Sequence, residues 1–181
     1  MTGSSNAIHR QFEKLEERKK SLMQKISTLP DEYYLRQPSP GSWSVAQAAN
    51  HIYLSEQLSL AYIRKKLSYP DALQRFQFKS WPAVWLLKFV LWSPYKRKAP
   101  QNINMWENQP ILSMEELDVK WSLLRKDLIT LIDQYEPSYG KHMVYRHPYA
   151  GRMTMHQMLI FLSDHMAHHI RQIDKIISNF D

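Results

Sequence analysis

The placement of helix-breaking residues constrains the fold of this chain more than any other feature. The prolines and all but the first of the four glycines fall in three groups, around residues 30–41, 70–110 and 137–151. Four proline-free windows remain, at residues 1–29, 42–69, 111–136 and 149–181. Because a proline inside a helix costs about 3 kcal/mol, long helices are confined to these windows. Each window can hold a helix of roughly six turns or more.

Three of the windows open with a capping box, in which a hydroxyl caps the helix and a Glu or Gln three residues later reaches back. These are Ser44–Gln47, Ser113–Glu116 and Thr154–Gln157. Apolar residues then recur at helical spacing in the first, third and fourth windows, which is typical of amphipathic helices. Those stripes are Ile8, Phe12, Leu15, Leu22, Met23, Ile26 and Leu29; Leu117, Trp121, Leu124, Leu128, Leu131 and Tyr135; and Met155, Met158, Leu162, His165, His169, Ile173, Ile176 and Phe180.

No segment shows a sustained alternation of apolar and polar residues with hairpin signals, so no sheet is predicted. The pattern predicts an all-α protein, a single four-helix bundle domain over residues 1–181. Residues 1–6 are predicted to be disordered. The long connection between helices 2 and 3, residues 70–112, must cross or cap the bundle and is predicted to carry a short extra helix over 81–92. No secretory signal or spanning segment is visible, which favours the cytoplasm and no membrane span.

The chain of 181 residues contains no cysteine. This excludes disulfides, thiolate nucleophiles, thiolate zinc sites and iron–sulfur clusters. A bound metal must therefore be held by histidine, carboxylate or backbone oxygen.

The histidines offer such ligands. His165 and His169 are four residues apart in the apolar stripe of the last window, so they share one inward face of a helix and can chelate one ion. His168 is an alternative to His169, but adjacent residues point about 100° apart and the two cannot easily bind together. His169 is preferred because it lies on the interior line.

A third inward histidine, His51, is expected on helix 2. The expected inward line of that helix is Gln47, Ala48, His51, Leu54, Leu58 and Ala61. Three imidazoles with one open position are the arrangement of catalytic zinc, and nickel, iron or manganese also fit. The competing interpretation is a set of core histidines satisfied by hydrogen bonds. Of the others, His9 is expected on a helix surface, His142 and His147 in a loop, and His156 facing outward.

Three segments resemble the DinB superfamily, including its YfiT-like branch of metal-dependent hydrolases. The segment 41–51, Gly-Ser-Trp-Ser-Val-Ala-Gln-Ala-Ala-Asn-His, resembles the start of that family's second helix. Residues 147–157 resemble the approach to its last helix, and His165-x-x-x-His169-x-x-Gln172-Ile173 resembles its C-terminal signature. The resemblance covers about residues 10–178. It implies a four-helix bundle with a divalent metal bound by His51, His165 and His169. Zinc or nickel is expected before iron or manganese.

Such a centre has two generic uses. It can lower the pKa of bound water to about 7 for hydrolysis, or hold a thiol cofactor as thiolate for transfer to an electrophile. Related branches of the superfamily include thiol-dependent transferases and isomerases, so the resemblance leaves both hydrolysis and thiol transfer open.

The sequence shows no evident general base. Asp164 is adjacent to His165, and on a helix the two side chains point in different directions. Gln172 either orients a ligand or bound water, or is a buried amide bonded across the bundle. The alternative to an enzyme is a binding or scaffold bundle with an empty histidine cluster.

The connector carries most of the positive charge. Between Asp71 and Glu107 it holds six Lys or Arg and no acidic residue, against a net charge of +7 for the whole chain. It also holds four of the six tryptophans. Packing on the bundle or in a homodimer is the first interpretation. A lid over the site for a small-molecule, anionic or thiol-linked substrate is the second, and nucleic-acid binding the third.

Overall fold

The structure, a computed structural model, describes residues 2–75, 110–139, 141–148 and 150–180. Within them lie five helices and three short strands. The helices are α1 (Thr2–Ser27), α2 (Asp31–Leu35), α3 (Val45–Leu67), α4 (Met114–Tyr139) and α5 (Met155–Ile177), and the strands are β1 (Gln74–Arg75), β2 (His142–His147) and β3 (Gly151–Thr154). A single turn of 3₁₀ helix, Pro70–Ala72, precedes β1.

The four long helices form the predicted four-helix bundle, which confirms the fold class. α1 packs against α4 and α5, and α3 packs against the same two helices. Among the described residues the core between them is mainly apolar, and its largest fully buried side chain is Trp121. This packing places α3 beside α5. A site made of residues from both helices is therefore possible.

All three predicted capping boxes form. The hydroxyls of Ser44, Ser113 and Thr154 accept hydrogen bonds from backbone N–H groups three residues later, and the Glu or Gln there accepts from the cap residue's N–H. Each box satisfies two backbone donors that a helix N-terminus otherwise leaves unpaired. The caps therefore fix where α3, α4 and α5 begin.

The inward face predicted for α3 is wrong in its second half. Ala48 is fully buried as predicted, but Leu58 is 49% exposed, and the buried face instead follows Val45, Ala49, Ile52, Glu56, Leu60 and Ile63. Glu56 is only 3% exposed because Trp121 and Arg125 of α4 bond to its carboxylate. A glutamate at a core position shifts the apparent apolar stripe, and His51 consequently lies half-buried at the edge of the face.

The small antiparallel sheet was not predicted. Its strand order is β1–β2–β3, and β2 packs against both α3 and α5. A register shift between Met143 and Tyr145 breaks the alternation of β2, so that its buried residues are Val144 and His147. This irregularity explains why no period-2 pattern is visible in the sequence. His142 and His147 therefore lie in a strand and not in a loop.

Three boundaries also differ from the predictions. α1 includes most of the segment predicted to be disordered, since it begins at Thr2. α4 continues two residues past Pro137. The connector begins with the 3₁₀ turn and β1, whereas the predicted extra helix and the tryptophans of the connector lie outside the described residues. No helix of the described part is long and apolar enough to cross a membrane.

Candidate metal centre

The three histidines singled out from the sequence meet between α3 and α5. His165 and His169 lie one helical turn apart on α5, and His51 lies in the second turn of α3, which the Ser44 capping box begins. Their candidate ligand atoms all lie within 4.8 Å of one another. His51 and His165 are half-buried and His169 is buried. We call these three residues the histidine triad.

The distances within the histidine triad suit a tetrahedral ion. His165 Nε2 lies 3.3 Å from His51 Nε2 and 3.1 Å from His169 Nε2. A tetrahedral zinc with bonds of about 2.0–2.1 Å places its ligand nitrogens about 3.3 Å apart. Neutral imidazoles carry one N–H each, so three Nε2 atoms cannot all bond to one another. A cation at their centre satisfies all three lone pairs, and the residues therefore fit the implied metal.

Gln172 fixes the orientation of one imidazole. Its Oε1 lies 2.9 Å from His169 Nδ1. An amide oxygen can only accept, so the ring proton of His169 is on Nδ1 and its Nε2 lone pair faces the other two histidines. Gln172 is half-buried, and this bond is within α5 and not across the bundle. By contrast, His165 Nδ1 is buried without a hydrogen-bond partner among the described residues.

The remaining histidines stay outside the triad. The His168 ring lies 5.1 Å from that of His169, nearly perpendicular to it, and is not part of the cluster. His9 lies on the helix surface as predicted, 2.8 Å from Asp133. His156, which was expected to face outward, is half-buried, and burial followed by the nearby Arg10 lowers its pKa.

Aromatic side chains line the histidine triad. The Trp43 ring stacks on His169 at 5.9 Å and lies 5.0 Å from the ring of His51. On α5, Phe161 lies 5.6 Å from His165 and 4.6 Å from the ring of His147 on β2. The sequence interpretation missed Trp43 and His147 as neighbours of the site. Both lie inside the segments that resemble the family, which was the available signal.

Burial keeps the histidine triad neutral. Burial, aided by the nearby His168, lowers the pKa of His51 to about 4, and burial followed by the charge of His51 lowers that of His169 to about 3. The pKa of His165 is also held well below its usual range, first by burial and then by the neighbouring histidines. The three lone pairs are therefore free of protons at neutral pH, as metal binding requires.

We expect the metal-free protein to lose stability in mild acid. Histidine in the unfolded chain has a pKa of about 6.5. Burial lowers the pKa of His147 to about 4, and that of His169 falls to about 3, so between these values and 6.5 the unfolded state binds more protons. The free energy of unfolding should fall with falling pH, by about 1.4 kcal/mol per pH unit for each such histidine. Urea midpoints at pH 7, 6 and 5 test this, and equal midpoints would contradict it.

Comparisons with known proteins agree with the fold. A sequence model of the DinB superfamily matches residues 14–173. Among solved structures, the crystal structure of TT2238, a four-helix bundle protein, aligns with a TM-score of 0.59 at 16% identity, covering 93% of this chain and 98% of the other. None of the curated proteins matches significantly. Since the family match spans most of the chain, including all three histidines of the triad, this protein belongs to the DinB superfamily.

Proposed function

We propose that the protein binds a divalent cation through His51, His165 and His169 and acts as a metal-dependent hydrolase or thiol-dependent transferase. The observation that carries the proposal is the pair of Nε2–Nε2 distances, 3.1 and 3.3 Å, among three neutral imidazoles. Zinc and nickel are the first candidates, with iron and manganese as alternatives. Membership in the DinB superfamily supports the same centre.

The charge of the ligand set points to the class of reaction. Among the described residues the group holds three neutral imidazoles and no carboxylate, which leaves both positive charges of a divalent cation uncompensated. When bound, the cation supplies an open position that lowers the pKa of water or of a thiol held there. An anionic species is therefore favoured at that position, which suits hydrolysis and thiol transfer alike.

Two side chains beside the triad, Gln172 and Trp43, contribute to the open coordination position. Gln172 holds His169 in the tautomer whose Nε2 is unprotonated. The indole of Trp43 packs against the rings of His169 and His51 on one side of the triad. Small-molecule substrates, the homodimer and the cytoplasmic location remain predictions.

Cobalt substitution tests this proposal and separates the two reactions. We expect one Co²⁺ per chain, with the intense visible absorption of a tetrahedral centre. Addition of a small thiol such as 2-mercaptoethanol should produce a sulfur-to-cobalt charge-transfer band if the centre serves thiol transfer, whereas hydrolysis of activated esters without such a band favours the hydrolase. Absence of stoichiometric Co²⁺, Zn²⁺ and Ni²⁺ would contradict the proposal and favour the scaffold alternative.

Gln172 should contribute to metal affinity through His169. Loss of a group that orients a metal-bound histidine typically costs about 10–100-fold in affinity. We therefore expect Gln172→Leu to weaken Zn²⁺ binding by roughly this factor, measured by competition with a chromogenic chelator. Gln172→Glu is the matched control, because its carboxylate still accepts from His169 Nδ1. Equal affinities of the wild type and Gln172→Leu would show that the contact does not matter for binding.

A further inference from the structure

Two arginines lie opposite each other on the β2–β3 hairpin. Arg146 of β2 is the register partner of Arg152 of β3, and both residues are exposed. Side chains directly opposite in an antiparallel pair lie on the same face of the sheet, with Cβ atoms about 4.5–5.5 Å apart. Like charges in this arrangement destabilise a sheet. The hairpin therefore holds two positive charges together against their repulsion.

The described residues provide no counter-charge for this pair. Neither Arg146 nor Arg152 forms an ion pair or a side-chain hydrogen bond with a residue of the described ranges. The sequence that follows β1 has no acidic residue before Glu107 and adds further Lys and Arg. An anion from outside the chain would therefore relieve the repulsion between the two guanidinium groups.

A pocket next to the hairpin is lined by Arg152 and by a third cation. It lies between α3 and the sheet, is partly open to solvent, and has Tyr62, Lys66, Gln74 and Arg152 among its lining residues. No acidic residue of the described part lines it. Lys66 is half-buried and, like Arg152, forms no ion pair with a described residue. The pocket is therefore positively charged.

Four side chains of this pocket can donate hydrogen bonds to an anion. Arg152 offers a planar fork of N–H groups that matches two oxygens of a phosphate, and Lys66 offers a compact charge. The Gln74 amide and the Tyr62 hydroxyl can each donate a further bond. A phosphate group has more acceptor oxygens than a carboxylate, so it can use more of these donors.

We propose that the pocket beside Lys66 and Arg152 binds phosphate, as the free ion or as a group of a small molecule, with Arg146 adding to the positive charge around it. The site is separate from the histidine triad. Lys66 lies about 22 Å along the α3 axis from His51, at about 1.5 Å per residue. The proposal therefore depends neither on a bound metal nor on the proposed function.

Titration of the metal-free protein with inorganic phosphate tests the proposal. Metal is removed with a chelating resin, ionic strength is held constant with chloride, and binding is read from the amide signals of the pocket residues in ¹H–¹⁵N spectra. We expect Lys66→Gln and Arg152→Gln each to raise the Kd of phosphate roughly tenfold or more, as the loss of a hydrogen bond to a charged group does. Lys65→Gln is the matched control, because Lys65 carries the same charge but is exposed and does not line the pocket. Equal weakening by Lys65→Gln and Lys66→Gln would overturn the proposal, since net charge alone would then attract the ion.

The thermal stability of Arg152→Gln separates a binding role from a structural one. Without phosphate the variant loses the repulsion from Arg146, so its Tm should equal or exceed that of the wild type. Phosphate should raise the Tm of the wild type by mass action and leave that of the variant almost unchanged. A lower Tm of the variant in the absence of phosphate would indicate a structural role for Arg152 and would count against the proposal.

Two further probes identify the source of the phosphate group. Tighter binding of ribose 5-phosphate than of inorganic phosphate would assign the pocket to a phosphate ester, and equal binding would assign it to the free ion. No response of the wild type to either compound would overturn the proposal. If a single-stranded oligonucleotide bound when neither small phosphate did, the surface would instead be one for nucleic acid.

Discussion

Replacing His169 with alanine is expected to abolish stoichiometric metal binding, whereas replacing the adjacent His168 should leave it intact. His169 Nε2 is 3.1 Å from His165 Nε2 and is oriented by Gln172, but His168 lies outside the cluster. Losing a ligand should cost more than the roughly 100-fold upper range for losing a group that orients one. Metal content is measured on protein purified without a nickel column, and Zn²⁺ affinity by competition with a chelator.

The paired variants make this result specific. The two histidines are neighbours in sequence and both lie on α5, so non-specific effects on the helix should appear in both variants. Circular dichroism and Tm of the metal-free forms establish that each variant is folded. Loss of metal in His168→Ala with retention in His169→Ala would show that the ligand assignment is wrong.

Replacing the buried carboxylate of Glu56 should strongly destabilise the bundle. Its carboxylate accepts hydrogen bonds from Arg125 Nη2 at 2.9 Å and Trp121 Nε1 at 2.7 Å, and both ionic groups are 3% exposed. Glu16 forms a longer ion pair with Arg125, 3.8 Å from its Nε and without a hydrogen bond, so it compensates for the loss of Glu56 only in part. Breaking a buried pair typically costs about 3–5 kcal/mol, because one charge stays buried without its partner.

Glu56→Gln is therefore expected to lower the free energy of unfolding by about 3–5 kcal/mol in urea. For a chain of this size, that corresponds to a decrease in Tm of roughly 6–20 °C. Arg64→Ala is the matched control, because Arg64 and Asp127 join the same two helices at 3.1 Å with both side chains more than half exposed. That surface pair should contribute at most about 1 kcal/mol.

A double variant separates the charge effect from packing. Glu56→Met combined with Arg125→Leu removes both charges and keeps the volume apolar, so it should recover much of the stability that Glu56→Gln loses. If Glu56→Gln were no more destabilising than Arg64→Ala, the ion pair would not hold α3 against α4. A double variant less stable than Glu56→Gln would show that the pair contributes more than the avoidance of an unpaired charge.

Local sequence signals predicted the helices because their causes are local. A capping box such as Ser44–Gln47 satisfies its donors within one turn, and proline restricts only its own backbone and that of its neighbours. The i, i+4 relation of His165 and His169 is also a property of one helix. These signals were enough to predict the four-helix bundle and to place two members of the triad on one face of a helix.

Other features depend on groups far apart in the chain. Glu56 is buried only because Arg125 and Trp121 meet it from α4, which no local pattern around Glu56 reveals. The bulged strand β2 is stabilised by its pairing with β1 and β3 and by packing on α3 and α5. The burial of His147 likewise depends on a ring contact with Phe161 of α5, which its own sequence neighbours do not specify.

By itself, the sequence determined where the three capped helices begin, the bundle, and a candidate set of histidines in a chain without cysteine. Only the tertiary structure decided that His51 meets His165 and His169 with Nε2 atoms at a spacing suited to a metal, and that the rings of Trp43 and Phe161 pack against them. The physical reason is the distance along the chain over which each interaction acts. Backbone hydrogen bonds and helical periodicity act over a few residues, whereas the convergence of side chains on one point depends on how whole helices pack.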